Sequence, residues 1–446
     1  THMHVSLQIN ARWIVSVDRN NTVLENHAVI IQDDIIIDIL PQAEAAKYHP
    51  LKQATLNDHA LMPGFINAHT HSAMSLLKGL ADDTPLDEWL NKHIWPAETA
   101  LANADFVKDG TELAIAEMVR GGTTCFNDMY FFIDQAAAVA QDIGMRCHIG
   151  IPIIDFPTRW AKDLGEYISK GLAVRDQFKK EPLINFSFAP HAPYSVSDDS
   201  FKAIKPLLNE LALPMHIHLH ETQAEVQQSL SDHNIRPIDR LEELGLLGPD
   251  LMAVHMTELS DQDIQTVAHY GVHVIHCPES NLKLASGFCP VSALLEAGVN
   301  VALGTDGAAS NNDIDMLGEM RTAAFLAKSL TGKANALAAY QAIRMATING
   351  AKALGLADKI GSLEIGKQAD IIAINLNHVE TQPVYDVMSS IVYSANRSQV
   401  TDTWVAGKNL MKSRQLRTID ETALIKKAQS WQQKVYPFHH PSDKAV

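Results

Sequence analysis

The chain has 446 residues, 46% of them apolar and 20% charged, the make-up of a globular enzyme and not of a disordered, collagenous or coiled-coil chain. Lys and Arg number 36 against 52 Asp and Glu, a formal charge of −16, which argues against wrapping a nucleic-acid backbone. No basic run offers a cradle for a highly phosphorylated substrate, and no apolar run reaches the ~18 residues of a membrane span.

The first 60 residues read as strands. Val5, Leu7 and Ile9 alternate with Ser6, Gln8 and Asn10, and two apolar runs, 28–32 and 35–39, flank Asp33-Asp34 as a hairpin. From about Leu61 the rhythm changes to short apolar strands separated by helical stretches. Eight strands are expected, at Leu61–His69, Thr123–Asn127, Arg146–Pro152, Ile184–Pro190, Pro214–His220, Leu251–His255, Val272–Cys277 and Val299–Thr305. Helices are expected at Asp109–Arg120, stopped by Gly121-Gly122, at Asp198–Glu210 and at Pro290–Ala297. Eight such units make a (β/α)8 TIM barrel. Strands return at Ala369–Asn375, Thr403–Ala406 and Asn409–Met411, with Gly407-Lys408 as a turn, and a helix follows at Glu421–Val435. The fold expected is an α/β one: a barrel, 63–360, inserted in a small β-sandwich built from both ends, 1–62 and 361–446.

Cys125, Cys147, Cys277 and Cys289 form no CxxC pair and no disulfide framework, which points to a reducing, cytoplasmic home. Thr1-His2 ahead of Met3 reads as a cloning scar, and no signal peptide is expected.

Histidine carries the chemistry. His69 and His71 stand two apart at the end of the first barrel strand, so their imidazoles can converge on one ion at the face where this fold builds active sites. His216, His218 and His220 share a face of the fifth strand by alternation, which leaves open which of them is a ligand. His255 ends the sixth strand and Asp306 the eighth. Three histidines and a carboxylate suit zinc, with ferrous iron as the alternative.

The ordered motifs Pro63-Gly64-Phe65-Ile66-Asn67-Ala68-His69-Thr70-His71, His218-Leu219-His220-Glu221, His255, the run 276–284 from His276-Cys277-Pro278-Glu279-Ser280-Asn281, and the run 304–312 from Gly304-Thr305-Asp306-Gly307 resemble the amidohydrolase superfamily. The likeness is narrower to its 5-methylthioadenosine/S-adenosylhomocysteine deaminases, kin of the triazine chlorohydrolases, and it covers the chain, including the return into a sandwich at 361–370. The resemblance implies one divalent metal held by His69, His71, His218 and Asp306. Catalytic roles fall on Glu221, the proton shuttle to the ring nitrogen; His255, which holds the attacking water; and Asp306, which passes that water's proton to departing ammonia. The fourth strand, Ile184–Pro190, lacks the Lys that bridges two metals in other members, so a single metal is expected. The pattern of the other zinc deaminase fold, His-x-Glu with Pro-Cys-x-x-Cys, is absent.

For the substrate, the resemblance implies that Trp89 packs on the apolar 5′ side of a nucleoside, that Glu98 binds ribose hydroxyls, that His191 bonds the purine or ribose, and that Arg159 reaches the ligand's far end. The activity expected is hydrolytic deamination of 5′-methylthioadenosine, S-adenosylhomocysteine and adenosine, by a homo-oligomer with no nucleic-acid or membrane partner. The competing reading within enzymes is a deaminase or dechlorinase of another heterocycle, such as guanine, oxidised guanine or a triazine. A barrel kept only as an interaction protein would be expected to have lost its ligands.

Overall fold

In the computed structural model, residues 3–439 are described; Thr1 and His2, read above as a scar, lie outside them. The chain opens on β1 (Met3–Val15), β2 (Val23–Gln32), β3 (Ile35–Pro41) and β4 (Tyr48–Pro63). The β2–β3 hairpin turns at Asp33-Asp34 as expected, with Asp33 at φ 57° and Gln32 paired to Ile35.

Eight parallel strands follow: β5 (Phe65–Thr70), β6 (Thr123–Met129), β7 (Arg146–Ile153), β8 (Ile184–Pro190), β9 (Met215–Leu219), β10 (Leu251–His255), β11 (His273–His276) and β12 (Val301–Leu303). Each pairs with the next, and the Asp306 N–H donates to the His69 carbonyl at 3.0 Å where the last meets the first. The result is a TIM barrel. Its strands are buried almost throughout because helices cover the outside and side chains fill the inside.

The chain then returns through β13 (Ile371–Asn375), β14 (Val400–Val405), β15 (Lys408–Lys412) and β16 (Gln415–Leu416). These join the first four strands in a second sheet of order β16-β15-β14-β13-β4-β1-β2-β3. That sheet curls on itself: Ile36 N–H donates to the Lys367 carbonyl and Ala369 N–H to the Asp34 carbonyl. Ile9, Val29, Ile36, Leu61, Ile371 and Trp404 fill a core of its own.

Several expected boundaries shift, the eighth barrel strand shrinking from 299–305 to Val301–Leu303, and two of the shifts have a clear cause. Leu61–Pro63 does not belong to the first barrel strand; it ends β4, with Pro63 paired to Ile371. Gly64 makes the crossing into β5, where a Cβ would lie 2.0 Å from the Thr124 hydroxyl. The β14–β15 turn is Ala406-Gly407, both at positive φ, and not Gly407-Lys408, because Lys408 is already paired with Val405.

The first barrel helix runs from Ala104 to Arg120, capped by the Asn103 side chain, and ends at Gly121-Gly122 as expected. The helices expected near 198 and 290 are Asp198–Leu211 and Val291–Glu296. The last helix, Glu421–Val435, lies as expected and docks Trp431 edge-on to Phe106. Sheet and barrel are riveted by a buried bidentate pair: Arg146 Nε and Nη2 donate to Asp370 Oδ2 and Oδ1 at 2.7 and 3.0 Å. Among the described residues no helix is long and apolar enough to cross a membrane.

Candidate active site

His69 points inward from β5, and His71 follows one residue past the strand end. His218 points in from β9. Their tautomers are set by acceptors. His71 Nδ1 donates to the Met129 carbonyl at 2.6 Å and His218 Nδ1 to the His191 carbonyl at 2.7 Å. A carbonyl only accepts, so both protons sit on Nδ1 and both lone pairs on Nε2. Yet the two Nε2 atoms face each other at 3.3 Å. His69 Nδ1 pairs with His216 Nε2 at 2.8 Å, while its Nε2 is buried without a hydrogen-bond partner.

Asp306 completes the set: its Oδ1 lies 3.2 Å from both His69 Nε2 and His71 Nε2. Acceptors crowded without a proton between them are the arrangement a cation relieves. The outward nitrogens are each held by a neighbour, as metal-binding histidines require. The donor set therefore fits a divalent ion.

The electrostatics agree. Burial pulls His69 down to about 4 and His218 well below its ordinary value, so both are neutral. Burial also opposes charge on His71, but the Asp306 carboxylate outweighs it and pushes His71 up to about 9. Positive charge is thus favoured at this place in the cluster. Burial would raise Asp306, yet its close contacts with the His69 and His71 rings prevail and hold it well below the usual carboxylate range.

Asp306 Oδ2 accepts from the Ser280 hydroxyl at 2.8 Å and lies 3.7 Å from His255 Nε2. His255 Nδ1 pairs with Asn281 Oδ1 at 2.8 Å, which aims Nε2 at Glu221 Oε2, 3.4 Å away. Glu221 is 5% exposed, and burial raises its pKa above the ordinary carboxylate value. His255, the last residue of β10, and Asp306, three residues past β12, both hold positive φ, 83° and 61°, a backbone conformation that costs energy in residues with a side chain.

Of the three alternating histidines only His218 enters the cluster. His216 lies one layer below and braces His69. His220, at φ 50° beyond the strand end, turns away: its Nε2 accepts from the Ile238 N–H and its Nδ1 pairs with the Glu258 carbonyl. Sequence reasoning missed Glu225, whose carboxylate accepts the N–H groups of His220 and Glu221 at 2.7 and 3.2 Å. Its only signal was its place three residues after Thr222, the cap of the next helix. Ser280, Asn281 and Ser310 stood in recognised motifs without a role; Ser310 bonds Ser280 at 3.1 Å.

Over the cluster lies a cavity of about 610 Å³, bordered by Trp89, Glu98, Tyr130, His191, Trp160 and Arg159 among others. Its roof is the helix Trp95–Leu101, which carries Glu98. Tyr130 donates to Glu98 Oε2. Burial raises Glu98 to about 7 despite that bond. His191 is pulled down to about 3 by burial and pairs with the Ser195 hydroxyl. Trp89 is buried in the wall. Arg159 stands at the rim, exposed, with its guanidinium on the carbonyls of Thr99 and Ala100.

Residues 60–410 match the amidohydrolase family. A 5-methylthioadenosine/S-adenosylhomocysteine deaminase of Teredinibacter turnerae is 48% identical, over 97% of this chain and 98% of its own. The crystal structure of an adenosine deaminase from Xanthomonas campestris with bound zinc is 49% identical and superposes with a TM-score of 0.97, covering 98% of this chain and 100% of that one. An atrazine chlorohydrolase from Arthrobacter aurescens, complexed with zinc, shares the fold at 20% identity, with a TM-score of 0.89 over 95% of this chain and 99% of its own. By family match and by kinship, this chain belongs to the amidohydrolases.

Proposed function

We propose that the chain is a hydrolase of cyclic amidines that deaminates 5′-modified adenosines, 5′-methylthioadenosine first among them. The observation that carries the reading is the pairing of a buried, raised carboxyl, Glu221, with the His255–Asp306 side of the cluster, beneath a roof that presents a second carboxylate, Glu98. Residues 63–360 would be the catalytic barrel unit. One ion per chain, zinc by preference, would be held by His69, His71, His218 and Asp306. It would supply Lewis acidity that brings a water's pKa from 15.7 to about 7.

The adenine C6 needs a nucleophile on carbon and a proton on N1. The two protons of one water provide for both sides of the exchange. Glu221 relays one to N1, and Asp306 relays the other to the departing amino group, so ammonia leaves and both carboxyls return to their starting state. His255 steadies the oxygen being added, its ring fixed by Asn281. Ser280 holds Asp306 Oδ2 in line. Glu98 accepts the two vicinal hydroxyls of a ribose, and its charge disfavours a nearby phosphate. Trp89 offers apolar surface to a thioether.

An ammonia-release screen across adenosine, 5′-methylthioadenosine, S-adenosylhomocysteine, AMP, adenine and guanine tests the reading. Adenine nucleosides should turn over, with AMP poor. Burying one extra methyl-sized group is worth about 1 kcal/mol, so methylthioadenosine should lead adenosine modestly. Guanine outpacing every adenine nucleoside would overturn it.

A further inference from the structure

We propose that Tyr130 and Arg159 are positioning residues that pin the roof helix from two sides, so that Glu98 is held ready for the sugar, and that Arg159 works through backbone carbonyls and not through a substrate carboxylate. The proposal rests on the adenine-nucleoside reading for the identity of the sugar, but the pinning itself does not.

The roof segment, Trp95–Leu101, is the C-terminal part of a helical run that begins at Leu86 and passes through a π-helical stretch, Trp89–Ile94. How these last turns sit over the cavity is set by what they touch. At its C-terminal end the last carbonyls lack partners within the helix. Arg159 supplies them: Nε donates to the Thr99 carbonyl and Nη2 to the Ala100 carbonyl, both at 2.8 Å. One edge of the guanidinium fork is thus committed to backbone, with its positive charge where the helix dipole is negative. At the start of the segment Trp95 meets Phe156 edge-on, ring centres 6.0 Å apart. Both contacts come from the loop that follows β7.

The inward face is held separately. Tyr130, buried at 6% exposed, donates its hydroxyl to Glu98 Oε2. That bond fixes the carboxylate's rotation and leaves Oε1 to meet a ligand. Tyr130 directly follows Met129, whose carbonyl orients His71. One peptide unit therefore joins the carbonyl that orients His71 to the tyrosine that holds Glu98.

The test uses the metal-loaded enzyme with Tyr130→Phe, Arg159→Met and Arg159→Lys. Losing one neutral-donor hydrogen bond is expected to raise KM for adenosine about 3- to 10-fold in Tyr130→Phe, with kcat moving less. The preference for adenosine over 3′-deoxyadenosine should shrink by the same factor. Arg159→Met should raise KM for adenosine, methylthioadenosine and S-adenosylhomocysteine alike, and Arg159→Lys should recover part of the loss. Hydrogen exchange of residues 95–102 in the substrate-free enzyme should quicken in Arg159→Met. Exchange unchanged there, or a defect confined to S-adenosylhomocysteine, would overturn the role given to Arg159. An unchanged adenosine/3′-deoxyadenosine ratio in Tyr130→Phe would overturn the role given to Tyr130. If no adenine nucleoside turned over, the functional reading would fail while the exchange result still decided the pinning.

Discussion

Glu221→Gln separates proton transfer from everything else the side chain does. Gln keeps the length and the contact with His255, 3.4 Å from Glu221 Oε2, but cannot pass a proton. A positioned acid contributes ~10²–10⁴-fold, so the variant should lose about 2.7–5.5 kcal/mol of transition-state stabilisation. The metal should stay, because Glu221 is in neither cluster of converging donor atoms found among the described residues. Folding should not suffer either, since the change removes a buried acid that burial already disfavours in its charged form. Glu221→Asp keeps the acid but withdraws it by one C–C bond, about 1.5 Å, and should fall between Gln and wild type. The assay is kcat for ammonia release from 5′-methylthioadenosine, with elemental analysis and a thermal melt on the same preparations. A rate within about threefold of wild type, against the expected 10²–10⁴, would refute the relay; so would loss of the metal.

Elemental analysis should find one divalent ion per chain, absent from a His69→Ala/His71→Ala protein along with turnover; two tightly held ions would contradict the ligand set. Burial lifts Glu98 from 4.5 to about 7, so between those values the folded protein binds more protons than the unfolded. Its contribution to stability is full below the lower value and is lost as pH rises through about 7. The ionised form is the one that accepts two hydroxyls, so KM for adenosine should fall as pH rises through about 7, and Glu98→Gln should flatten that profile. Asp370→Ala should strip Arg146, 3% exposed, of its bidentate partner at a cost of ~3–5 kcal/mol. With about 2.1 cal/mol/K per residue that is roughly 3–5 °C in Tm, read by calorimetry at fixed zinc, and an Arg146→Met/Asp370→Leu pair should recover most of it.

What the sequence showed and what it hid divide along physical lines. Side-chain periodicity was legible, so β5 to β12 and the converging His69 and His71 could be read from alternation and position, whereas the choice of His218 among three alternating histidines came from the family resemblance. Backbone events were not. Nothing in the letters marks the left-handed turn at His220 that takes the third alternating histidine away from the site. Gly64 reads as one more glycine in a motif, and only the approach of Thr124 shows that it divides two strands. Ala406 gave no sign of a positive φ. Partners that are carbonyls are equally silent: Arg159 could be placed in the right loop, but its acceptors, Thr99 and Ala100, contribute no side chain to the bond.

The way β4 runs straight into β5 also orders events in time. Residues 59–63 of β4 pair with β13, which leaves the ribosome about 300 residues later, roughly 15–60 s at ~5–20 residues per second. For that interval a nascent chain carries an open strand edge beside a barrel that is already being built, and an unpaired edge is a template for other chains. Any stalled or shortened product ending before Ile371 would keep that edge for good. Such fragments should depend on chaperones, or aggregate, far more than their complete barrel would suggest.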